Sequence, residues 1–273
     1  MIPIHKDLNT IPESLKVDEV SIAHNPAKTT YKHRNELIER GGYPPSGPQS
    51  NRYDSRYKYS DVKDALKSLY HGKCAYCETY DPSPHVEHYR PKRGGYYWLA
   101  YSWDNLIISC SQCNTNKGNQ FPIAGQKASF QGTAEEFAQI NTLSEEYDRI
   151  ENPLLLMPER MPDEIENIWE FKQDGSIVPK NDRIRKSCEI YGLNREALCT
   201  ERRKIWNELV NCIIDCVAMA KGDMNYLKQL LVIPLNAFKR RSEDETNPYL
   251  AFRRYILKSG WIQQKVIELT KNV

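Results

Sequence analysis

Hydrophobic residues recur every three or four positions shortly before the first cysteine of the chain. This spacing predicts an amphipathic helix over residues 61–71, with Ser60 as its N-cap and Gly72 as its stop. The helix leads the chain directly into Cys74. Its apolar face consists of Val62, Ala65, Leu66 and Leu69.

Beyond Cys74 the pattern changes to short apolar runs that are typical of strands. Residues 86–89 and 105–109 predict two strands, joined through a glycine-containing loop at 93–95. A short helix or tight loop follows and ends near Gly118. The predicted order is therefore a hairpin followed by a helix, with a cysteine pair at each end.

The C-terminal half has mostly helical periodicity. The sequence is acidic from 133 to 170, and strands at 168–171 and 176–178 are expected to form a hairpin around the turn Gln173-Asp174-Gly175. The acidic stretch and the helices could form a protein-docking surface or simply complete the core. The predicted helices cover residues 182–191, 194–221, 223 to just before Pro234, 247–259 and a segment after Gly260.

These elements predict an α+β fold, with a core of a hairpin and a helix clamped by the two cysteine pairs and a mostly helical C-terminal region. The N-terminal segment is rich in proline and is expected to be irregular, apart from a short helix at 31–40. The predicted divisions are an irregular segment at 1–59, the zinc-stabilised core at 60–130, and an acidic, hairpin-containing and helical region at 131–273.

Charge and composition narrow the function classes. The formal net charge of the 273 residues is only +2, so any contact with nucleic acid must be local. The chain shows no secretory signal pattern and no apolar run long enough to span a membrane. We therefore expect a soluble, cytoplasmic protein that does not associate with membranes.

The chain has eight cysteines, which are not expected to form disulfides in the cytoplasm. Four of them form two Cys-x-x-Cys pairs and supply the soft thiolates that suit a closed tetrahedral zinc site. A redox role for a Cys-x-x-Cys pair is disfavoured, because the chain has a second matching pair and the surrounding sequence does not predict a βαβ unit. The remaining cysteines are expected to fill the core. The predicted zinc ligands are Cys74, Cys77, Cys110 and Cys113.

The stretch between the cysteine pairs resembles the H-N-H nucleases, which have a ββα-metal core. In that family an acidic residue and His lie on the first strand, Asn precedes the second strand, and His or Asn lies in the helix. The matches are Glu87-His88, Asn105 and Asn114. Longer segments resemble the H-N-H effectors of Septu-type anti-phage systems and of related retron cassettes, over roughly residues 60–203. These segments include KCAYCE, VEHYRPK, WDNLIISCSQCN and NKGNQFP.

This resemblance implies metal-assisted hydrolysis of phosphodiester bonds in double-stranded DNA. His88 would be the general base, and Glu87 and Asn114 would hold a catalytic Mg²⁺ or Mn²⁺. Asn105 would fix the loop of the histidine by hydrogen bonding. The resemblance also implies an ATPase partner that controls the nuclease. The residues expected to contact phosphate are Lys117, Arg90, Lys92 and Arg93.

Two positions depart from the usual pattern of the family. Glu87 stands in place of Asp and is one methylene longer, and Asn114 stands in place of the last His. Asn is a neutral oxygen ligand that suits a hard cation. The alternative function is therefore a zinc-scaffolded nucleic-acid-binding or assembly module in which the catalytic site has decayed.

Overall fold

The chain forms two compact units. The structure is a computed structural model that describes residues 1–17, 26–162 and 168–271. The site unit comprises Ile4–Tyr76 and Tyr80–Met161. The helical unit comprises Met1–Pro3, Cys77–Thr79 and Pro162–Val273.

A two-stranded antiparallel hairpin lies at the centre of the site unit. Strand β1 (His85–His88) pairs with β2 (Leu106–Ser109), in a register that places His88 opposite Leu106. The predicted hairpin followed by a helix is confirmed, although Asn105 ends a 3₁₀ turn just before β2. The helices of this unit are α1 (Pro26–Arg40), α2 (Pro48–Asp54), α3 (Ser60–Leu69), α4 (Ser111–Lys117), α5 (Ala134–Ala138), α6 (Leu143–Glu146) and α7 (Asp148–Glu151).

Helix α3 carries the apolar stripe that its sequence predicts. Val62 and Leu66 are completely buried, and the helix packs against β2. The chain leaves α3 through Gly72, whose φ of +68° favours glycine. Because the helix ends only a few residues before Cys74, it fixes the direction in which the chain enters the first cysteine pair.

The prediction of an irregular N-terminal segment is wrong for much of residues 26–59. Helix α1 has 15 residues and buries Leu37 completely, while the shorter α2 begins with Pro48 at its first turn. Helix α1 packs against the 3₁₀ turns at residues 13–15 and 97–99. These tertiary contacts stabilise helices in a segment whose local helix propensity is weak. The sequence pattern of the segment does not reveal such contacts, so it did not predict the full extent of these helices.

The helical unit contains a long pair of packed helices. Helix α10 continues through Pro234, contrary to the prediction that it stops there. The proline removes one backbone donor, but α10 packs along α9 and buries Leu227, Leu231 and Phe238 on both sides of it. The helices of this unit are α8 (Asp182–Tyr191), α9 (Glu196–Ala220), α10 (Met224–Glu243), α11 (Leu250–Lys258) and α12 (Trp261–Thr270).

The predicted hairpin of this unit is reduced to a turn with a single β-bridge between Phe171 and Ile177. Asn194, where the helix over 194–221 was predicted to begin, lies before α9, which begins at Glu196. Its side chain instead accepts a hydrogen bond from the Ile177 amide at 2.7 Å and donates to the Ile177 carbonyl at 2.9 Å. Residues 163–167 of the acidic stretch lie outside the described residues.

An aromatic cluster joins α9, α11 and α12 within the helical unit. The rings of Trp206 and Trp261 lie 5.3 Å apart, and Tyr255 contacts Trp261 at the same separation. These tryptophans therefore help to form the core of this unit. Within the described part of the chain, every helix is too short or too polar to cross a bilayer.

Candidate functional site

The four predicted zinc ligands come together. The ligand sulfurs of Cys74, Cys77, Cys110 and Cys113 all lie within 4.8 Å of one another. Tetrahedral coordination with Zn–S bonds of about 2.3 Å would place the sulfurs about 3.8 Å apart, so a small adjustment closes the site. The chemistry and spacing of these donors therefore fit a structural zinc ion.

The cysteine pairs are tied to the hairpin and to the helix that follows it. The amide of Ala75 donates to the Ile108 carbonyl in β2 at 2.9 Å. Cys110 immediately precedes α4, and its carbonyl accepts a hydrogen bond from the Asn114 amide at 3.0 Å. The position of Asn114 is therefore set by the helical turn that begins at a zinc ligand.

A separate polar cavity of about 180 Å³ lies beside the hairpin, where β1 ends. Glu87 and His88 are adjacent on this strand, and alternation along a strand would normally place them on opposite faces. Both nevertheless reach the cavity, because the strand pairing ends at His88. The residues lining the cavity are Glu87, His88, Pro91, Lys92, Arg93, Asn114, Gly118 and Asn119.

The imidazole of His88 is held in one orientation. It is buried, and its Nε2 atom donates a hydrogen bond to the Ala100 carbonyl at 2.9 Å. Burial, with a smaller effect of Lys92, lowers the pKa of His88 well below its usual value. The ring is therefore neutral near pH 7, and with its proton on Nε2 it carries the lone pair on Nδ1.

Lys117 is part of the supporting structure of this cavity rather than a surface contact for phosphate. Its side chain is completely buried, and its ammonium donates to Glu87 Oε1 and to the His88 carbonyl, each at 2.8 Å. The predicted phosphate contact is wrong in this structure, because the ammonium is enclosed between these acceptors. Lys117 instead orients the Glu87 carboxylate and leaves Oε2 as the oxygen that could bind a cation.

Asn105 fixes the turn that follows β1. Its side-chain oxygen accepts a hydrogen bond from the Arg90 amide at 2.8 Å, and its Nδ2 donates to the carbonyls of Arg90 and Leu99 at 3.1 and 3.2 Å. Asn105 is completely buried and does not line the cavity. These contacts match the positioning role expected for it from the sequence.

Arg90 is also buried, which overturns its predicted contact with the DNA backbone. Its guanidinium has no exposed surface and donates to Glu151 and Asp148, each at 2.7 Å. Glu151 is completely buried as well and also accepts a hydrogen bond from Tyr96. Arg90 therefore neutralises carboxylates inside the site unit and has no surface with which to follow phosphates.

Lys92 and Arg93 are the two predicted phosphate ligands that do line the cavity. The Lys92 ammonium donates to the Tyr57 hydroxyl at 2.8 Å and lies 3.7 Å from Asp54. Burial lowers the pKa of Lys92 to about 8. Arg93 Nη2 lies 3.3 Å from the same Asp54 carboxylate.

Sequence reasoning missed several residues of this site. Asn119 and Pro91 line the cavity, and the Tyr57 ring packs edge-on against His88 with centroids 4.5 Å apart. Asn119 could have been noticed because it follows the Asn114 and Lys117 motif within the same segment. Tyr57 belongs to a run of alternating basic and tyrosine residues, which offers no signal of a contact with His88.

Replacing Cys110 tests the zinc site. Cys110→Ser removes one of four thiolates, so we expect the zinc content to fall well below about one ion per chain and the melting temperature to drop. Metal analysis and thermal unfolding measure both effects. Cys212→Ser, at an exposed cysteine of α9, is the matched control and should change neither. Full zinc content in Cys110→Ser would contradict this assignment.

Replacing Arg90 tests its reassignment to the interior. Arg90→Met leaves the buried carboxylate of Glu151 without its ion-pair partner, which should lower the free energy of unfolding of the site unit by about 3–5 kcal/mol. Denaturant unfolding measures this loss. Arg93→Met, at a partly exposed side chain, should cost much less. A stable Arg90→Met protein with weakened DNA binding would restore the original prediction.

Comparison with known proteins agrees with the geometry of the site. The HNH endonuclease family model matches residues 74–120, which contain both cysteine pairs and the cavity residues on β1 and α4. The chain is 35% identical over 171 residues to Septu protein PtuB of Bacillus mycoides (strain KBAB4). That match covers 56% of this chain and 53% of PtuB, so the chain spans about half the length of this relative.

A second relative is Septu protein PtuA of the same organism, which is 27% identical over 181 residues. The match covers 61% of this chain but only 23% of PtuA, so the similar segment is a small part of a longer protein. No solved structure matches the chain. Residues 74–120 therefore match the HNH endonuclease family model, within a chain that is similar to Septu protein PtuB over 56% of its length.

Proposed function

We propose that the chain is a metal-dependent endonuclease that hydrolyses phosphodiester bonds in double-stranded DNA. One observation carries this proposal. A carboxylate, a neutral imidazole, two amides and two cationic side chains line a single cavity of about 180 Å³. These are the groups that hydrolysis of a phosphodiester needs: a base for water, ligands for a cation and positive charge for the phosphate.

His88 is the proposed general base. Its Nε2 proton is held by the Ala100 carbonyl, so the Nδ1 lone pair is the one that can take a proton from water. The imidazole packs in a T-shaped contact with the Tyr57 ring, and Lys117 donates a hydrogen bond to the backbone carbonyl of His88 itself. These contacts limit rotation of the ring, which favours one tautomer and one direction of attack.

Glu87 and Asn114 are the proposed ligands of a divalent cation. Both offer oxygen atoms at the cavity, which suits a hard ion such as Mg²⁺ or Mn²⁺. When bound, the cation would stabilise negative charge on the scissile phosphate and on the leaving oxygen. Lys117 keeps the Glu87 carboxylate in place for this role.

Lys92 and Arg93 are the proposed contacts for the phosphate oxygens. Both cations lie at the cavity beside His88, whereas Arg90 and Lys117 are enclosed in the interior. Binding that depends on these local charges should weaken with salt, because phosphate contacts release counterions. The small net charge of +2 is compatible with such a local footprint.

Replacing His88 tests the catalytic proposal. His88→Ala removes the base, so the rate of metal-dependent plasmid cleavage should fall by about 10²-fold or more, with zinc content unchanged. His85→Ala is the matched control, because His85 lies on the same strand with an exposed side chain. Cleavage by His88→Ala at the wild-type rate would contradict the mechanism.

The same assay separates the alternative function. A scaffold with a decayed site would bind DNA without cutting it, and neither the removal of divalent metal by EDTA nor His88→Ala would change its behaviour. A nuclease would lose cleavage in both cases.

The proposed setting is anti-phage defence together with a PtuA-like ATPase. The similarity to PtuB supports the setting, because that relative is named as a Septu protein. The longer relative PtuA contains a segment similar to this chain, which shows that such a segment occurs next to additional protein sequence. In the proposed complex, a separate PtuA-like chain would supply such additional protein sequence by binding to this nuclease.

Co-purification tests this partnership. Tagged chain expressed with the PtuA-like ATPase from its own genome should retain the ATPase through affinity and size-exclusion steps. His88→Ala should retain it equally well, because that side chain is buried at the cavity rather than exposed on the surface. Absence of a complex, from a chain that cleaves DNA on its own, would indicate a standalone nuclease.

A further inference from the structure

Asp54 collects hydrogen bonds and ion pairs behind the cavity, although it lies outside the residues that match the family. It ends helix α2, and its side chain is half-buried. Its carboxylate accepts hydrogen bonds from Ser50, Tyr43 and Tyr57 at 2.8–3.0 Å. It also lies 3.7 Å from the Lys92 ammonium and 3.3 Å from Arg93 Nη2.

Tyr57 connects this carboxylate to both the base and the cation of the site. Its hydroxyl donates to Asp54 Oδ1 at 3.0 Å and accepts from the Lys92 ammonium at 2.8 Å. Its ring meets the His88 imidazole edge-on, at 4.5 Å and an interplanar angle of 86°. One buried side chain therefore contacts two groups of the cavity that are four residues apart in the sequence.

The position of the Lys92 ammonium depends on contacts with neighbouring side chains. A lysine has a flexible four-carbon stem and a point charge, so it does not by itself define the position of its ammonium. Here the ammonium lies over the Tyr57 ring at 4.4 Å and the Tyr43 ring at 5.2 Å. Its side chain is only 12% exposed, which restricts the directions in which it can move.

We propose that Tyr57, anchored by Asp54, is a positioning residue that fixes the Lys92 ammonium and the His88 imidazole relative to one phosphodiester group in the cavity. The inference rests on the proposed nuclease function and assigns a role to a segment outside the matched domain. The hydrogen-bond directions are compatible with one another, because the Tyr57 hydroxyl donates a hydrogen bond to the Asp54 carboxylate and accepts one from the Lys92 ammonium. Burial and the neighbouring Asp54 raise the pKa of Tyr57, which keeps that proton in place.

Two single-hydroxyl deletions provide the test. Tyr57→Phe keeps the ring against His88 and removes the hydroxyl between Asp54 and Lys92, whereas Tyr43→Phe removes a different hydroxyl from the same Asp54 oxygen. We expect Tyr57→Phe to lower kcat about tenfold with a smaller change in KM, since misplacement of a catalytic group mainly affects the transition state. Tyr43→Phe should stay within about twofold of wild type.

A double-mutant cycle shows whether Tyr57 acts through Lys92. Adding Tyr57→Phe to Lys92→Met should cause little further loss, because the ammonium that the hydroxyl positions is already gone. An undiminished tenfold loss in the Lys92→Met background would overturn the inference. An equal loss from Tyr43→Phe would also overturn it, because that result would show a general effect on the Asp54 region.

A measurement that does not need cleavage separates this inference from the proposed function. Amine labelling followed by mass spectrometry reports how readily a reagent reaches the Lys92 amine. The labelling rate should rise about tenfold in Tyr57→Phe, which lacks the hydroxyl that holds this group, but not in Tyr43→Phe. If the labelling rates differ in this way but the wild-type protein does not cleave DNA, the proposed function is refuted and the positioning role of Tyr57 is not. An unchanged labelling rate in Tyr57→Phe refutes the positioning role whether or not DNA is cleaved.

Discussion

The site depends on holding the end of a very short hairpin in place. Strands β1 and β2 pair over only four residues each, and a two-stranded hairpin of this kind is marginally stable by itself. The cavity nevertheless requires Glu87 and His88 to keep fixed positions where β1 ends. Supports from other elements supply this rigidity: the cysteine cluster beside β2, the Asn105 side chain on the turn after β1, and the Lys117 ammonium from α4.

Burial divides the charged residues of the motif into two groups with different physical roles. Arg90 and Lys117 are enclosed and paired with carboxylates, because a desolvated charge without a partner would be strongly destabilising. Lys92 and Arg93 reach the cavity and remain able to meet a phosphate. Basic residues that are neighbours in the sequence thus include both internal supports and groups that line the cavity.

The cavity also depends on a segment before the matched domain. Asp54 and Tyr57 reach Lys92 and His88 from the region around α2, so residues 74–120 alone do not contain all of the contacts that orient the site. This arrangement gives a physical reason for the site unit to be larger than the motif. The hairpin and helix supply the proposed reacting groups, and the surrounding elements restrict how those groups move.

The sequence by itself determined the features that depend on local spacing. These are the two cysteine pairs, the apolar face of α3, and the order of hairpin and helix. The resemblance to the H-N-H nucleases, rather than local spacing, indicated that Glu87, His88 and Asn114 share one site. Only the tertiary structure decided which basic side chains are buried, because their partners are distant: Glu151 lies 61 residues from Arg90, and Glu87 lies 30 residues from Lys117. The formation of α1 and the passage of α10 through Pro234 were likewise decided by packing, since burial against other elements outweighs weak or unfavourable local propensity.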